Sequence, residues 1–218
     1  MTATPFRADG RDITCWFEGR IAYELPLWEA IDQGFLCPFQ YFGVTDDTDM
    51  QDLEWSGGDY RNIDSVVTGN TIRADQSLRA IHEYVDRPSE LRALGFCASV
   101  AHAEFMAEHF SQRGTPSAFL SGETPKEERD RILADLANGR VSVVFSVDVL
   151  GEGVDVPSVN TVLLLRPTQS ATVLTQQIGR GLRRHASKRC LTVIDLIGNH
   201  RKEFRSDAVL KALLAGSK

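Results

Sequence analysis

Two arginines and the glycine before them are the residues best suited to chemistry in this chain. Residues 176–183 are Gln-Gln-Ile-Gly-Arg-Gly-Leu-Arg, which is the pattern Q-x-x-G-R-x-x-R. If this stretch is helical, Arg180 and Arg183 lie on one face, one turn apart. Their planar guanidinium groups are always charged and suit phosphate oxygens, and Gly179 lets another backbone or a ligand come close. The alternative interpretation is a solvated basic helix face.

A segment rich in glycine and carboxylate groups precedes the arginine pair. Residues 145–157 are Phe-Ser-Val-Asp-Val-Leu-Gly-Glu-Gly-Val-Asp-Val-Pro. Apolar runs at 141–145 and 161–165 predict a buried strand on either side, so this segment is predicted to contain the loop between them. Ligands of parallel sheets bind beyond the carboxyl ends of the strands, and the loops after Phe145 and Cys97 follow strand ends of that kind.

Together the two segments resemble motifs V and VI of superfamily 2 helicases and translocases, which lie in the second of two RecA-like domains. Their order and spacing match the family patterns D-v-l-x-x-G-x-D-x-P and Q-x-x-G-R-x-x-R. The form of motif VI resembles the branch of restriction-enzyme motor subunits and DNA-repair helicases, whereas the RNA-directed DEAD-box branch typically has H-R-x-G-R-x-x-R. The resemblance therefore implies DNA as the partner in preference to RNA.

The start of the chain carries a further similarity. Residues 2–7, Thr-Ala-Thr-Pro-Phe-Arg, resemble motif III, which ends a strand of the first RecA-like domain. The hydroxyl groups of that motif link the ATP site to the nucleic-acid site in the family, which implies this coupling role for Thr2 and Thr4, together with Asp148 of motif V. On composition alone, residues 2–7 would be a frayed terminus. With the resemblance, we expect the chain to be part of a longer protein.

The resemblance implies that the arginine pair acts on ATP. Arg183 is the first candidate for an arginine finger and Arg180 the second, because a finger stabilises the charge spread over a transferring phosphoryl group. The sequence contains no G-x-x-x-x-G-K-[ST] pattern and no convincing D-E-x-x box after a strand. A lysine for the β- and γ-phosphates and a carboxylate for Mg²⁺ are therefore not predicted here. We expect this chain to close over ATP and Mg²⁺ bound mainly by the first RecA-like domain, and to be inactive alone.

Further residues are implied to contact ATP by their positions in motifs V and VI. Gln176 would position the γ-phosphate or the motif V loop, and Gly179 would allow close approach. Gly153 would permit the backbone to come near the nucleotide, and Asp155 would accept a hydrogen bond from a ribose hydroxyl. The alternative role for Asp155 is an Asx turn before Pro157.

Nucleic-acid contacts are implied for Ser99 of motif IV and for the start of motif V. The family usually has Thr directly before the motif V aspartate, where this sequence has Val147, with Ser146 one residue earlier. Ser146 or a backbone N–H would then contact the phosphates. Ser99 has a competing role as the N-cap of the helix that follows it. We expect tracking of the backbone without readout of base sequence.

Composition limits the other classes of function. The chain has 218 residues, 42% of them hydrophobic, and a net charge of −6, which argues against a generic basic coat on nucleic acid. No apolar run is long enough to span a membrane, and the four cysteines form no C-x-x-C pair. Histidines with ligand spacing are also absent, so we predict no metal site on this chain and a cytoplasmic location. A non-catalytic regulatory or interaction module that retains the fold remains the alternative function.

The periodicity predicts an α/β fold with a mainly parallel sheet covered by helices on both faces, and the resemblance implies that this is a RecA-like three-layer fold. We predict residues 1–75 as the tail of the first RecA-like domain with its connector, including an acidic loop at 46–59, and residues 76–218 as the second RecA-like domain. Thr124 and Glu127 predict a capping box. Predicted helices of the second domain span 77–86, 99–113, 124–138, 170 or 171 to 184, and 199–213. Predicted strands span 92–97, 117–120, 141–145, 161–165 and 190–196.

Overall fold

Short apolar runs form the strands, as their periodicity predicts. The computed structural model describes residues 16–20, 23, 25–49, 55–56, 59–60, 63–147, 156–167 and 171–199. Its strands are β1 (Phe39–Asp49), β2 (Trp55–Ser56), β3 (Asp59–Tyr60), β4 (Ala93–Phe96), β5 (Ser117–Leu120), β6 (Val143–Ser146), β7 (Thr161–Leu164) and β8 (Leu191–Asn199). Its helices are α1 (Leu27–Asp32), α2 (Ile63–Val67), α3 (Thr71–Tyr84), α4 (Val100–Gln112), α5 (Lys126–Asn138) and α6 (Ala171–Gly179), with a 3₁₀ turn at Pro88–Glu90.

Six strands form one sheet in the order β1-β8-β7-β4-β6-β5, and every neighbouring pair in it is parallel. Strands β2 and β3 form a separate antiparallel ribbon. All residues of β4, β6 and β7 are buried, as expected for parallel strands with helices on both faces. The predicted parallel α/β sheet is confirmed.

Each face of the main sheet carries an apolar cluster, because successive side chains of a strand point to opposite faces, and Ile63 and Val67 of α2 form a smaller third cluster. Leu94 of β4 packs in one cluster with side chains of α5 and α6. Ala93, its neighbour in β4, packs in the other cluster with side chains of α3 and α4. Helices α5 and α6 on one face and α3 and α4 on the other therefore make the predicted three layers.

Strand β1 differs from the prediction at its carboxyl end. The sequence predicts a loop for the acidic residues from 46 onward, but β1 continues to Asp49. Its backbone pairs with β8 through Thr45, opposite Ile197, and again at Asp49, opposite Asn199. Backbone pairing thus overrides the poor strand propensity of acidic residues.

The domain boundary at residue 75 stays a prediction, while β1 belongs to the main sheet. The helix predicted at 199–213 is wrong at its first residue, because Asn199 ends strand β8, and the rest of it lies beyond the described residues.

The helix starts show one wrong capping prediction. Helix α5 begins at Lys126, with Pro125 rather than Thr124 as its N-cap and without a side-chain cap. The Thr124 hydroxyl instead accepts a hydrogen bond from the backbone N–H of Ser121, at 2.9 Å. A local turn has taken the oxygen that the capping box required.

Candidate functional site

The predicted site residues lie at two opposite ends of the parallel sheet. Motif IV follows β4 and the start of motif V follows β6, so Ser99 and Val147 lie where those strands end. Helix α6 runs back from the end of β7 to the start of β8, and carries Gln176 near its last turn. We call these regions the carboxyl end and the amino end of the sheet. The structure does not bring the predicted nucleic-acid residues and the arginine pair together.

The arginine pair does not lie on a helix, contrary to the prediction. Helix α6 ends at Gly179, and residues 180–184 form what we call the arginine loop. Tight turns begin it, with Gly181 N–H donating to the carbonyl of Ile178 at 2.9 Å. Arg183 then forms an antiparallel bridge with Leu36. Pairing with the chain segment before β1 replaces the helical hydrogen bonds, so the predicted helix to residue 184 is wrong. Arg180 is half-buried and Arg183 is exposed.

The segment before β1 holds the arginine loop through backbone groups. Cys37 N–H donates to the carbonyl of Leu182 at 2.8 Å, and the Leu182 side chain is buried in the core. Arg184 Nη1 donates to the carbonyl of Gly34 at 2.8 Å. The loop is therefore anchored on both sides of Arg183.

Lys188 adds a third anchor that the motif pattern did not indicate. Its ammonium group donates to the carbonyl of Gly181 at 2.7 Å and to that of Val159 at 2.5 Å. Partial burial lowers the pKa of Lys188. Only the fold shows that Lys188 joins the arginine loop to the turn before β7.

The two glycines of motif VI have different surroundings. A Cβ on Gly181 would lie 2.4 Å from Cδ1 of Leu191, a side chain that is fully buried. Nothing lies within 4 Å of the corresponding position on Gly179. Gly181 thus packs against the core, whereas Gly179 leaves open space beside the first arginine, as the approach of a ligand requires. Gln176, which the sequence predicts to contact ATP, is exposed nearby on α6.

At the carboxyl end, Ser99 is the N-cap of α4. Its hydroxyl oxygen accepts from the backbone N–H of His102 at 3.0 Å, and the hydroxyl donates to the carboxylate of Asp64. This hydrogen bond is the main reason that the pKa of Asp64 is lowered. The capping role weighed for Ser99 is therefore present. Its predicted contact with nucleic acid stays a prediction.

His102 is a buried part of the same turn. Its Nδ1 accepts from the backbone N–H of Ala98 at 3.2 Å, so the proton of the neutral ring lies on Nε2. The ring is only 1% exposed, and burial lowers the pKa of His102 to about 4. The imidazole is thus neutral near pH 7 and supports the backbone that carries Ser99.

Ser146 and Val147 are less accessible than their predicted role suggests. Ser146 is fully buried, and its hydroxyl has no hydrogen-bond partner among the residues that the structure describes. Its carbonyl accepts from Cys97 N–H at 2.9 Å, while Val147 is half-buried. Contact between a phosphate and the Ser146 hydroxyl would require this strand end to open, so both assignments stay predictions.

Arg73 is a structural residue that no sequence motif indicated. It is 3% exposed, and its Nη2 donates to the carbonyl of Leu196 at 2.9 Å and to that of Leu165 at 3.4 Å. The guanidinium joins the ends of β7 and β8. A buried arginine on a helix carries no sequence signal for this role, because the two carbonyls are distant in the chain.

Several predicted site residues lie outside the described residues, namely Thr2, Thr4, Asp148, Gly153 and Asp155. Their roles in coupling and ATP binding stay predictions. Within the described ranges, no group of three or more His, Cys, Asp and Glu residues could hold a metal ion. No helix in that part of the chain is long and apolar enough to cross a membrane.

Comparison with known proteins gives a consistent family. Residues 76–185 match the helicase conserved C-terminal domain. The chain is 30% identical over 199 residues to the ATP-dependent helicase IRC3 of Saccharomyces cerevisiae, covering 91% of this chain and 29% of that protein. It is 31% identical over 202 residues to a 51.5 kDa protein of a Lactococcus phage, covering 92% of this chain and 43% of that protein. The chain thus spans less than half the length of the curated relatives that it matches.

Solved structures share its fold. A fragment of an HsdR subunit of a type I restriction enzyme from Vibrio vulnificus superposes with a TM-score of 0.68 at 25% identity, covering 90% of this chain and 38% of that chain. A DEAD box protein from Methanococcus jannaschii superposes with a TM-score of 0.51 at 20% identity, covering 66% of this chain and 36% of that chain. The second likeness concerns the fold alone. The predicted RecA-like fold is confirmed.

Proposed function

The chain belongs to the helicase conserved C-terminal domain family, and we propose that it is the C-terminal motor half of an ATP-dependent superfamily 2 DNA helicase or translocase. It would close over ATP and Mg²⁺ held mainly by the first RecA-like domain of the same parent chain. Similarity to an ATP-dependent helicase over 91% of the chain supports an ATP-dependent parent. The chain alone is not an autonomous ATPase in this proposal.

The anchored arginine loop is the observation that carries the proposal. Arg183 is exposed on a loop whose neighbours on both sides are hydrogen-bonded to other segments. Donors that are held in place before the reaction stabilise developing charge without the cost of reorganising. Arg183 is therefore proposed as the arginine finger, and half-buried Arg180 as the second phosphate contact.

The surroundings of the loop fit an ATP phosphate group. Open space beside Gly179 leaves room for a ligand next to Arg180, and exposed Gln176 offers an amide to orient it. When bound, ATP supplies the γ-phosphoryl group whose transfer to water drives the motor. Gln176 and the two arginines would orient that group and offset its charge, while Mg²⁺ accompanies it on the first domain.

Contacts with the nucleic-acid backbone are proposed at the carboxyl end of the sheet. Ser99 is half-buried there, and its hydroxyl is oriented by Asp64 and by the first turn of α4. Backbone contacts of this kind position a strand without reading its sequence. We propose DNA in preference to RNA from the form of motifs III and VI, and retain the cytoplasm as the location.

The test is ATP turnover by the full-length parent with single-stranded DNA, duplex DNA and RNA in parallel reactions. Stimulation by DNA and not by RNA is the expected result. Stimulation by RNA alone would contradict the DNA assignment and leave the motor assignment in place. Absence of turnover with every nucleic acid would contradict the motor and favour a regulatory module that retains the fold.

A further inference from the structure

An open pocket of about 600 Å³ lies at the amino end of the sheet. Its walls are parts of two segments, residues 31–38 before β1 and residues 184–189 after the arginine loop. Neither Arg180 nor Arg183 lines it. We call it the basic pocket, and it is distinct from the site proposed for the ATP phosphates.

The side chains that line the basic pocket have one predominant charge. Arg184, His185, Lys188 and Arg189 line one side, and none of the described lining residues is acidic. The chain as a whole has a net charge of −6, so this concentration of basic groups opposes the overall charge. Such a local field favours an anion.

Two carbonyl acceptors at the pocket already have donors. Gly34 accepts from Arg184 Nη1 at 2.8 Å, and Pro38 accepts from the backbone N–H of Leu191 at 2.8 Å. A ligand that offers mainly hydrogen-bond donors would find these oxygens occupied.

Donors, in contrast, remain available. Lys188 uses two of its three N–H groups on carbonyls. His185 Nδ1 accepts from the backbone N–H of Ser187 at 3.2 Å, so in the neutral ring Nε2 carries the proton and can donate. Arg189 is exposed, and no residue in the described ranges forms an ion pair or hydrogen bond with its side chain. The pocket is therefore lined by spare donors that suit an anion with several acceptor oxygens.

We propose that the basic pocket binds phosphate groups, at a site separate from the arginine finger. Its volume falls in the range of about 300–1,000 Å³ that is usual for small-molecule sites, which accommodates a linked series of phosphates. Guanidinium and ammonium groups together match such a series. Two sources share this chemistry: a free polyphosphate and the backbone of a nucleic-acid strand.

The test uses the 218-residue chain, with sodium tripolyphosphate in calorimetric titrations and a fluorescein-labelled DNA single strand in anisotropy titrations. Arg189→Gln is the main variant, because its exposed side chain has no folding contact among the described residues. Arg131→Gln, on the exposed side of α5, removes the same charge away from the pocket. Arg183→Ala separates the basic pocket from the arginine finger.

We expect tripolyphosphate to bind the wild type, and to bind Arg189→Gln about tenfold more weakly, the loss of one charge-assisted hydrogen bond. Arg131→Gln should keep the wild-type affinity, and any loss with Arg183→Ala would report phosphate bound at the arginine finger. If Arg189→Gln also lowers the affinity for the DNA strand, the ligand is a strand backbone. If it lowers only the affinity for tripolyphosphate, the ligand is a free polyphosphate. Absence of tripolyphosphate binding, equal affinity in wild type and Arg189→Gln, or a loss seen only with Arg183→Ala would overturn the proposal.

Discussion

The two ends of the sheet hold their functional side chains by different means. At the amino end, the arginine loop is anchored by backbone carbonyls that accept from Lys188 and Arg184. At the carboxyl end, Ser99 is held by ionisable side chains. Asp64 accepts a hydrogen bond from its hydroxyl, and neutral His102 accepts one from the backbone of the turn before it. Carbonyl oxygens do not titrate, whereas carboxylates and imidazoles do.

This difference makes the two ends separable by experiment. Mild acid acts on the carboxyl end through His102, whereas the Gly34, Gly181 and Val159 carbonyls that take part in the amino-end contacts do not titrate. Substitutions of the anchors act on the arginine loop alone, since the loop shares no described hydrogen bond with Ser99. Independent responses would support the division of the molecule into an ATP end and a nucleic-acid end.

Lys188→Met should give the largest loss of stability at the amino end. The apolar side chain leaves the Gly181 and Val159 carbonyls without their ammonium donor, which costs about 2–3 kcal/mol in the free energy of unfolding. The loosened loop should also lower the maximal ATP turnover of the full-length parent. Urea unfolding of the chain and steady-state kinetics of the parent are the measurements. Lys126→Met, at an exposed position on α5, is the matched control. Equal stability of the two variants would mean that the hydrogen bonds of Lys188 do not stabilise the fold.

Acid should weaken the carboxyl end through His102. Its pKa is lowered to about 4 in the fold, from an ordinary value near 6.5. The unfolded chain therefore binds more protons between these values, and stability falls as pH decreases through that window, by about 2 kcal/mol from pH 7 to pH 5. Asp64, with a lowered pKa, stays charged at these pH values.

The check is a series of unfolding curves for wild type and His102→Asn, whose amide oxygen can still accept from Ala98 N–H. The variant should lose most of this pH dependence, whereas His82→Asn, at an exposed position on α3, should keep it. Parallel pH profiles for all three proteins would contradict a neutral buried imidazole at this turn.

Gly181→Ala tests how tightly the arginine loop packs. A methyl group there would meet the fully buried Leu191 side chain at 2.4 Å, and overpacking of this kind costs about 1–2 kcal/mol. Gly179→Ala adds the same methyl group where nothing lies within 4 Å. Thermal unfolding should show a lower midpoint for Gly181→Ala and little change for Gly179→Ala. A lower midpoint for Gly179→Ala than for Gly181→Ala would contradict the tight packing of Gly181 against Leu191.

Ser99→Ala should give the smallest effect and separate capping from strand binding. Loss of the N-cap costs about 1 kcal/mol of stability, and the proposed phosphate contact would add a few-fold loss of DNA affinity in the parent. Asn70→Ala removes a comparable cap, since Asn70 accepts from Arg73 N–H at 3.0 Å at the start of α3. A drop in affinity with Ser99→Ala alone supports the contact. Equal affinities in the two variants would leave Ser99 with a structural role only.

The sequence was sufficient for the features that depend on local periodicity. The buried strands β4 and β7 and the amphipathic helix α4 follow from the spacing of their apolar residues, and Ser99 was recognised as a possible cap. The motif also predicted that Gly179 leaves room for a ligand beside Arg180, and the structure has open space there.

Features made by distant segments could not be predicted in this way. Helix α6 ends early because Arg183 pairs with Leu36, and β1 continues into acidic residues because β8 pairs with it. Lys188 and Arg73 donate to carbonyls that are remote in the chain. Periodicity within one segment contains no information about such partners.

The most direct test of the proposed arginine finger is ATP turnover by the full-length parent carrying Arg183→Ala, measured with stimulating DNA and compared with wild type and with Arg131→Ala. We predict a fall of at least about a hundredfold in stimulated turnover, since a finger acts on the transition state, with only a modest loss of ATP binding. Arg131→Ala should behave as wild type. Unchanged turnover in Arg183→Ala would contradict the assignment of the arginine loop as the catalytic contribution of this chain.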